Sequence, residues 1–414
     1  MPQNRLVSVN RHVGFAALWA LILIVTASCS TPAPSVRPTT TLNTTEVETN
    51  LPPVPEIVPP AVAEIQPTPE PVPQEPIATP AVPPPVTRNA PSITAPPAAA
   101  YTNIIPSTWM PLRQWTRDNR LSKPAANGVP PLISLVHQTP AGQLEMTLGS
   151  RYIRWNGLNI GLGFAPLWYK NEPYLHGLDA EKTLTPLLNS AARDPKPIKT
   201  LVLDPGHGGS NFGTKSFDGR FYEKDLALDW ARRVKILLHA RRPDWTVYLT
   251  RTNDVDLSLP QRVTFADSVR ADLFVSLHFN AVDGHREESG VETYCSTPTG
   301  LPSNLVREFE DNPSRVSPNN AFDFENFQYA LRLHRNMVQY SGRKDRGLRR
   351  ARFMSVLREQ SRPAVLLEGG YLSNPKEAKL IYTAEFRQRL AEAVVEGLLG
   401  TENGLAAKNW RAAP

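Results

Sequence analysis

The spacing of apolar residues changes near residue 198 and divides the chain into two kinds of sequence. From Ile198 onward, short apolar runs alternate with longer stretches in which apolar residues recur at helical spacing. The pattern predicts strands at 200–203, 246–251, 273–278, 291–295 and 364–368, and helices at 224–241, 260–270, 326–342 and 384–399. This alternation predicts an α/β fold with a mostly parallel sheet flanked by helices on both faces. It spans residues 198–402.

Residues 104–192 have a different pattern, which is typical of a small β-rich accessory domain. Short apolar runs such as 144–148 and 152–155 are separated by turn signals, among them Asn156-Gly157. Tryptophans 109, 115, 155 and 168 lie here, and core packing is favoured for them over a sugar-binding face. One helix is expected near 181–189.

The first 29 residues have the composition of an export signal. Arg5 and Arg11 precede an apolar stretch over 13–25, and small residues then lead to Cys29. The apolar stretch is short for a membrane span. Cleavage with lipidation of Cys29 is favoured, while secretion without lipid and an uncleaved anchor are the alternatives.

A proline-rich segment, 30–103, follows the signal. Of the 42 prolines in the chain, 20 lie between residues 31 and 100. Proline fixes φ and removes a hydrogen-bond donor, so this composition predicts an extended, disordered tether. Residues 403–414 are expected to be a tail.

Charge and cysteine content narrow the classes of partner and chemistry. The formal net charge is +6 and 20% of the 414 residues are charged, a mild balance that fits an anionic envelope polymer. Nucleic acid is disfavoured, because the chain has no basic helix or aromatic-basic repeat of the usual binding modules. Cys295 follows an apolar run, which favours a buried structural thiol over a catalytic one. The basic run 343–352 is interpreted mainly as solvated surface.

Ionisable residues end three of the predicted strands. His207 lies in the glycine-rich stretch 206–209, His278 ends the run 273–278, and Glu368 follows Val365-Leu-Leu. Because the carboxyl ends of parallel strands meet at one edge of a sheet, these side chains are expected to form a site there.

Two histidines and a carboxylate are a common ligand set for catalytic zinc, which leaves a fourth position for water. Glu223 lies where a predicted helix begins and is a candidate third ligand; Asp225 is its rival. An ordinary negative charge in a first helical turn is the competing interpretation of Glu223. Glu368 is interpreted as a general base beside the metal, which implies metal-assisted amide hydrolysis.

Residues 198–400 resemble the zinc-dependent N-acetylmuramoyl-L-alanine amidases of bacterial cell walls. The resemblance rests on Leu203-Asp-Pro-Gly-His-Gly-Gly209, Leu249-Thr-Arg251, Ser276-Leu-His-Phe-Asn-Ala281, Asp345-Arg-Gly-Leu348 and Leu367-Glu-Gly-Gly-Tyr-Leu-Ser-Asn374, with Glu223 and its helix. It implies zinc ligation by His207, Glu223 and His278, and a catalytic role for Glu368. It also favours Glu223 over Asp225.

The expected function is therefore peptidoglycan hydrolysis at the amide bond between N-acetylmuramic acid and L-alanine. Another zinc cell-wall peptidase or carboxypeptidase and a non-catalytic wall-binding lipoprotein are the alternatives. The expected location is the cell envelope, in the periplasm and attached to the membrane, including the outer membrane, through an N-terminal lipid or signal anchor. The sequence does not identify an activator protein. Residues 297–327 are expected to form a loop lining the substrate groove rather than an inhibitory helix.

Overall fold

The computed structural model describes residues 108–129, 133–189, 197–306 and 311–400. These residues all belong to one compact unit, Thr87–Pro414. The predicted signal, Cys29, the tether at 30–103 and the tail at 403–414 lie outside the described residues.

The described region begins with short strands and short helices and continues with longer strands and helices in alternation. The first set is β1 (Trp109–Pro111), α1 (Leu112–Asp118), β2 (Ala125–Asn127), β3 (Ser134–Thr139), β4 (Gly142–Thr147), β5 (Tyr152–Trp155), β6 (Leu158–Gly161), β7 (Leu167–Tyr169), β8 (Glu172–His176), α2 (Gly177–Asp179) and α3 (Thr185–Leu188), with a π turn at Ala180–Leu184. The second set is β9 (Thr200–Pro205), α4 (Glu223–Arg241), β10 (Thr246–Leu249), α5 (Leu259–Ser268), β11 (Leu273–Asn280), β12 (Val291–Cys295), α6 (Asp323–Ser341), β13 (Asp345–Arg350), α7 (Ser355–Arg358), β14 (Ala364–Tyr371), α8 (Pro375–Ile381) and α9 (Ala384–Leu399), with a 3-10 turn at Pro318–Phe322.

An eleven-stranded sheet runs through both regions in the order β10-β9-β11-β14-β12-β13-β6-β5-β4-β3-β2. Strands β10, β9, β11 and β14 are parallel, β12 pairs antiparallel with β14, and β13 is parallel to β12. A separate three-stranded sheet, β1-β8-β7, completes the first region.

Helices cover both faces of the parallel part of the sheet. Leu203, Val275 and Val365 belong to a core that includes residues of α4, α6 and α9, whereas Val202, Phe274 and Leu366 pack with α5 and α7. The two sets alternate along each strand because successive side chains point to opposite faces. The predicted fold class, a mostly parallel sheet with helices on both faces and a small β-rich region before it, is confirmed.

The sequence sets the ends of several helices by capping. The Ser258 hydroxyl accepts from the backbone N–H of Gln261, whose side chain reaches back to form a capping box at α5. Thr383 caps α9, which fits the predicted start at 384. Helix α6 ends at Gly342, which adopts the left-handed conformation that glycine tolerates best.

Strand β13 was not predicted, and the interpretation of residues 343–352 as solvated surface was wrong for much of the run. Arg350 and Arg352 are buried. Arg350 donates to the Thr183 hydroxyl at 2.6 Å and to the Lys182 carbonyl at 2.7 Å. Arg350 therefore connects the region that begins at residue 198 to the region before it, although its place in a basic run suggests an exposed surface.

The loop after β12 also departs from expectation. Glu292 lies opposite Glu368 and Cys295 opposite Val365, so β12 ends at the edge of the sheet away from the strand ends that carry His278 and Glu368. Its Asp311 pairs with Arg352. The described part of 297–327 does not line a groove at the histidine end.

Among the described residues, none of the helices combines the length and the apolar character needed to cross a membrane.

Candidate metal centre

His207 lies just beyond the end of β9, in a loop that the buried ion pair between Arg262 and Asp204 supports. Its φ of 60° is unusual for a residue other than glycine. Arg262 donates to the His207 carbonyl at 2.7 Å and to the Asp204 carboxylate at 2.6 Å. The Thr250 hydroxyl also donates to Asp204, at 2.6 Å. Neighbouring strands and α5 thus support the strained backbone of the loop.

His278 and Glu368 lie opposite each other on the neighbouring strands β11 and β14. The His278 ring lies directly against Gly206, where an added Cβ would come within 2.3 Å of ring atom Cε1. Only glycine leaves that space, which is a physical reason for the glycine before His207.

Glu223, the first residue of α4, lies between the two histidines. Its Oε2 is 3.1 Å from Nε2 of His207, and its Oε1 is 2.8 Å from Nδ1 of His278. Backbone N–H groups of Thr214 and Phe279 donate to the same carboxylate at 2.8 and 3.0 Å. Asp225, the rival candidate, is exposed.

Glu223 and the histidines beside it interact electrostatically, and this interaction shifts the pKa values of Glu223 and His207. Burial raises the pKa of Glu223, but hydrogen bonds from His207 and His278 outweigh burial and bring the pKa well below its usual value. Burial lowers the pKa of His207, but the Glu223 carboxylate more than offsets it and raises that pKa. The buried Glu223 carboxylate and the His207 imidazole therefore stabilise each other's charged forms.

The donor set fits a metal ion. One ligand atom from each of His207, Glu223 and His278 lies within 4.8 Å of the others, and the group is the metal-ligand cluster found among the described residues. Nδ1 of His207 lies 2.9 Å from Oδ1 of Asn211, an acceptor that favours a proton on Nδ1, so Nε2, which faces Glu223, is the nitrogen suited to bind a metal.

Glu292, which is buried, and Glu368, which is half-buried, face each other across β12 and β14, and their surroundings differ. Glu292 accepts hydrogen bonds from Asn280, Tyr294, Arg346 and Tyr371. Glu368 has a buried Oε2 with no hydrogen-bond partner among the described residues. Burial raises the pKa of Glu368 well above its usual value, and the Glu223 and Glu292 carboxylates raise it further. Only Glu368 has an oxygen free for a ligand or a proton.

Sequence reasoning missed Glu292, Arg262 and Asp204, which support the site without joining it. The signal for Glu292 was present, since an acidic residue interrupts the apolar run 291–295. Arg262 gave no such signal, because an arginine in an amphipathic helix normally points to solvent. Cys295 is buried and its pKa is raised to about 11 by burial, which confirms the expected structural thiol.

Comparison with known proteins identifies the family of this region. The family model for N-acetylmuramoyl-L-alanine amidase matches residues 201–399. An endolysin of Bacillus phage SPP1 is 34% identical over 218 residues, which cover 52% of this chain and 70% of the endolysin. The chain belongs to the N-acetylmuramoyl-L-alanine amidase family.

Other amidases match the same region. N-acetylmuramoyl-L-alanine amidase AmiC of Escherichia coli is 30% identical over 270 residues, covering 56% of this chain and 60% of AmiC. The solved catalytic domain of the amidase CwlV from Bacillus (Paenibacillus) polymyxa is 33% identical; the match covers 49% of this chain and 97% of that domain, with a TM-score of 0.40. The match covers less than two thirds of the length of two relatives. It covers 60% of AmiC and 66% of CwlM, an N-acetylmuramoyl-L-alanine amidase of Bacillus licheniformis.

Proposed function

We propose that this chain hydrolyses the amide bond between N-acetylmuramic acid and L-alanine in peptidoglycan, with zinc held by His207, Glu223 and His278. The observation that carries the proposal is the conjunction of that ligand group with an unpartnered Glu368 oxygen on the next strand, in a chain of the amidase family. Two histidines and one glutamate form a common catalytic zinc set. Zinc held by these residues would supply a Lewis acid for the scissile carbonyl and would lower the pKa of water.

The residues of the chain divide the remaining work. Glu368 accepts a proton from the attacking water at its free Oε2 and returns it to the departing L-alanine amine. Positive charge held by the three ligands would offset the Glu223 charge that raises the pKa of Glu368, so we expect that pKa to be lower when the ligands hold a metal. Arg262 and Gly206 keep His207 and His278 in place during this transfer.

Digestion of purified sacculi by the zinc-loaded chain tests the proposal. Mass spectrometry of the products should show new L-alanine amino ends and no change at the stem-peptide C-terminus. Release of a C-terminal amino acid would instead indicate a carboxypeptidase. Sacculi that are bound but not cleaved would indicate a wall-binding protein. The Glu368→Gln variant serves as the control for contaminating hydrolases.

The proposed location rests on sequence outside the described residues. We infer export through residues 1–29, lipidation of Cys29 and a tether over 30–103 that connects an envelope membrane to the accessory region, 104–192, and the amidase region, 198–402. Labelling cells with a radioactive fatty acid should mark the full chain and leave a Cys29→Ala variant unlabelled. Equal labelling of the two would exclude lipidation at Cys29.

A further inference from the structure

The loop that joins His207 to α4 presents aromatic side chains to solvent. Phe212 keeps 49% of its surface exposed and Phe221 keeps 36%. Tyr222 and Tyr382 lie beside them and are half-buried. We call Phe212, Phe221, Tyr222 and Tyr382 the aromatic rim. Clustered exposed apolar groups in a soluble protein commonly mark an interaction site.

The rim consists of one stacked pair of rings and one tilted pair. The Phe212 and Tyr222 ring centroids are 4.8 Å apart with planes at 29°, and the Phe221 and Tyr382 centroids are 4.0 Å apart at 35°. Phe212 also has the Lys224 ammonium 4.6 Å from its centroid. Phe212 therefore contacts Tyr222 and Lys224, and Phe221 contacts Tyr382, while each phenylalanine still exposes at least a third of its surface.

Hydrogen bonds fix the rim in this exposed arrangement. Ser216 N–H donates to the Phe221 carbonyl at 3.0 Å, and Phe221 N–H donates to the Ser216 hydroxyl at 3.1 Å. The Tyr382 hydroxyl donates to Asp218 at 2.9 Å. A surface held in one conformation before binding loses little entropy when a ligand arrives.

The rim adjoins the metal ligands directly. Gly213, next to Phe212, has a φ of 66°, and an added Cβ there would lie 2.5 Å from the His207 ring and 2.7 Å from Oε2 of Glu223. Tyr222 immediately precedes Glu223 in sequence. A ligand on the rim is thus adjacent to whatever reacts at the metal centre.

We propose that the aromatic rim binds sugar rings of the peptidoglycan glycan strand; this rests on the proposed function. In N-acetylmuramic acid the scissile amide hangs from the sugar by a short lactyl link, so a sugar ring must lie beside the metal centre during the reaction. Sugar rings combine apolar C–H faces with peripheral hydroxyls. The rim offers the matching surface, aromatic rings with Asp218 and Arg220 close by.

Charge favours sugar over the anionic stem peptide as the occupant. Arg220 pairs with Asp218 at 2.7 Å, and Lys224 pairs with Asp254 at 2.6 Å. These two cations already have carboxylate partners, so they offer little net attraction to the carboxylates of a stem peptide. One further cation adjoins the rim, the Lys215 ammonium, 5.8 Å from the Tyr222 ring centroid.

The test compares a Phe212→Ala, Phe221→Ala double variant of the full chain with a matched control, Ile236→Ala. Ile236 is 68% exposed on α4, and its thirteen-residue separation from Glu223 corresponds to about 20 Å along the helix. Calorimetry measures binding of a peptide-free oligosaccharide of alternating N-acetylglucosamine and N-acetylmuramic acid. Steady-state kinetics then compares a disaccharide peptide with a lactyl peptide that lacks sugar.

The rim variant should bind the oligosaccharide about tenfold or more weakly, because two aromatic contacts with the sugar rings are lost. Its KM should rise for the disaccharide peptide and stay unchanged for the lactyl peptide, while Ile236→Ala matches wild type throughout. Unchanged oligosaccharide binding, or no binding by wild type, would overturn the proposal. Equal KM increases for both substrates would instead place the peptide on the rim. Oligosaccharide binding without release of L-alanine ends would refute the proposed function and leave the rim proposal standing.

Discussion

The two ends of the amidase sheet both bury charged side chains, and they use them differently. At the end where β12 finishes, Arg350 donates a hydrogen bond to the Thr183 hydroxyl. Arg352 forms an ion pair with Asp311 and donates to the Leu301 carbonyl. At the other end, Glu223 lies within hydrogen-bond distance of His207 and His278, and Glu368 has a buried oxygen with no partner in the part of the chain that the structure describes. Burial of charge alone therefore does not mark a functional site, and neither does one unpaired atom, because Nε of Arg352 also has no partner among the described residues. The combination of an unpaired carboxylate oxygen with two histidines and a second carboxylate marks the site better.

Replacing Glu368 by Gln should have the largest effect on function. The change keeps the size of the side chain and removes the proton acceptor, so turnover should fall by roughly 10²–10⁴-fold while bound zinc is retained. Glu292→Gln, on the facing strand, is the comparison variant: it should lower thermal stability by weakening the Arg346 contact, and its turnover should fall less than that of Glu368→Gln because the proton acceptor is kept. Near-normal turnover in Glu368→Gln, measured as L-alanine ends released, would place the base elsewhere.

Removing one arginine from each end should cost similar stability with different functional results. Arg262→Met breaks a buried ion pair, and Arg352→Met breaks the pair between a buried arginine and the half-buried Asp311. Each change leaves a largely buried carboxylate without its cation and should lower the free energy of unfolding by about 3–5 kcal/mol in denaturant titrations. Only Arg262→Met should also weaken zinc binding by the folded protein, because Arg262 holds the His207 carbonyl. Equal zinc affinity in the two folded variants would mean that Arg262 has no positioning role.

Two threonine substitutions, one at each end of the sheet, should have smaller effects, which differ in how stability depends on pH. Burial raises the pKa of Asp204, but Arg262, Thr250 and Ser276 outweigh burial and bring the pKa below its usual value. Asp204 thus stabilises the fold above its unfolded pKa of about 3.9, and this stabilisation is lost as pH falls through the lower folded pKa.

Thr250→Val removes one donor to Asp204, so its acid unfolding should begin at a higher pH than in wild type. Thr183→Val removes an acceptor from Arg350 at the other end and should cost a similar amount, about 1.5–3 kcal/mol, without the same acid shift. Acid unfolding followed by circular dichroism at a series of pH values compares the two. Identical acid midpoints in the two variants would contradict the account of Asp204.

The sequence predicts the strand ends well, because apolar runs stop where His207, His278 and Glu368 begin. It misses β13, since arginines in that strand are buried by contacts with residues more than 160 positions away, such as Thr183. It also misplaces the loop after β12, because the direction of β12 depends on its antiparallel pairing with β14. Local pattern therefore predicts elements, whereas long-range pairing decides which loops reach the site.

Zinc content tests the central claim, that His207, Glu223 and His278 hold the metal while Glu368 stays free, most directly. Wild type and Glu368→Gln should each bind about one equivalent of zinc, measured by metal analysis after dialysis against a weak chelator. A His207→Ala, His278→Ala double variant should retain essentially none, because only one of the three proposed protein ligands remains. Full zinc occupancy in the folded double variant, or loss of zinc in Glu368→Gln, would contradict this assignment of the site.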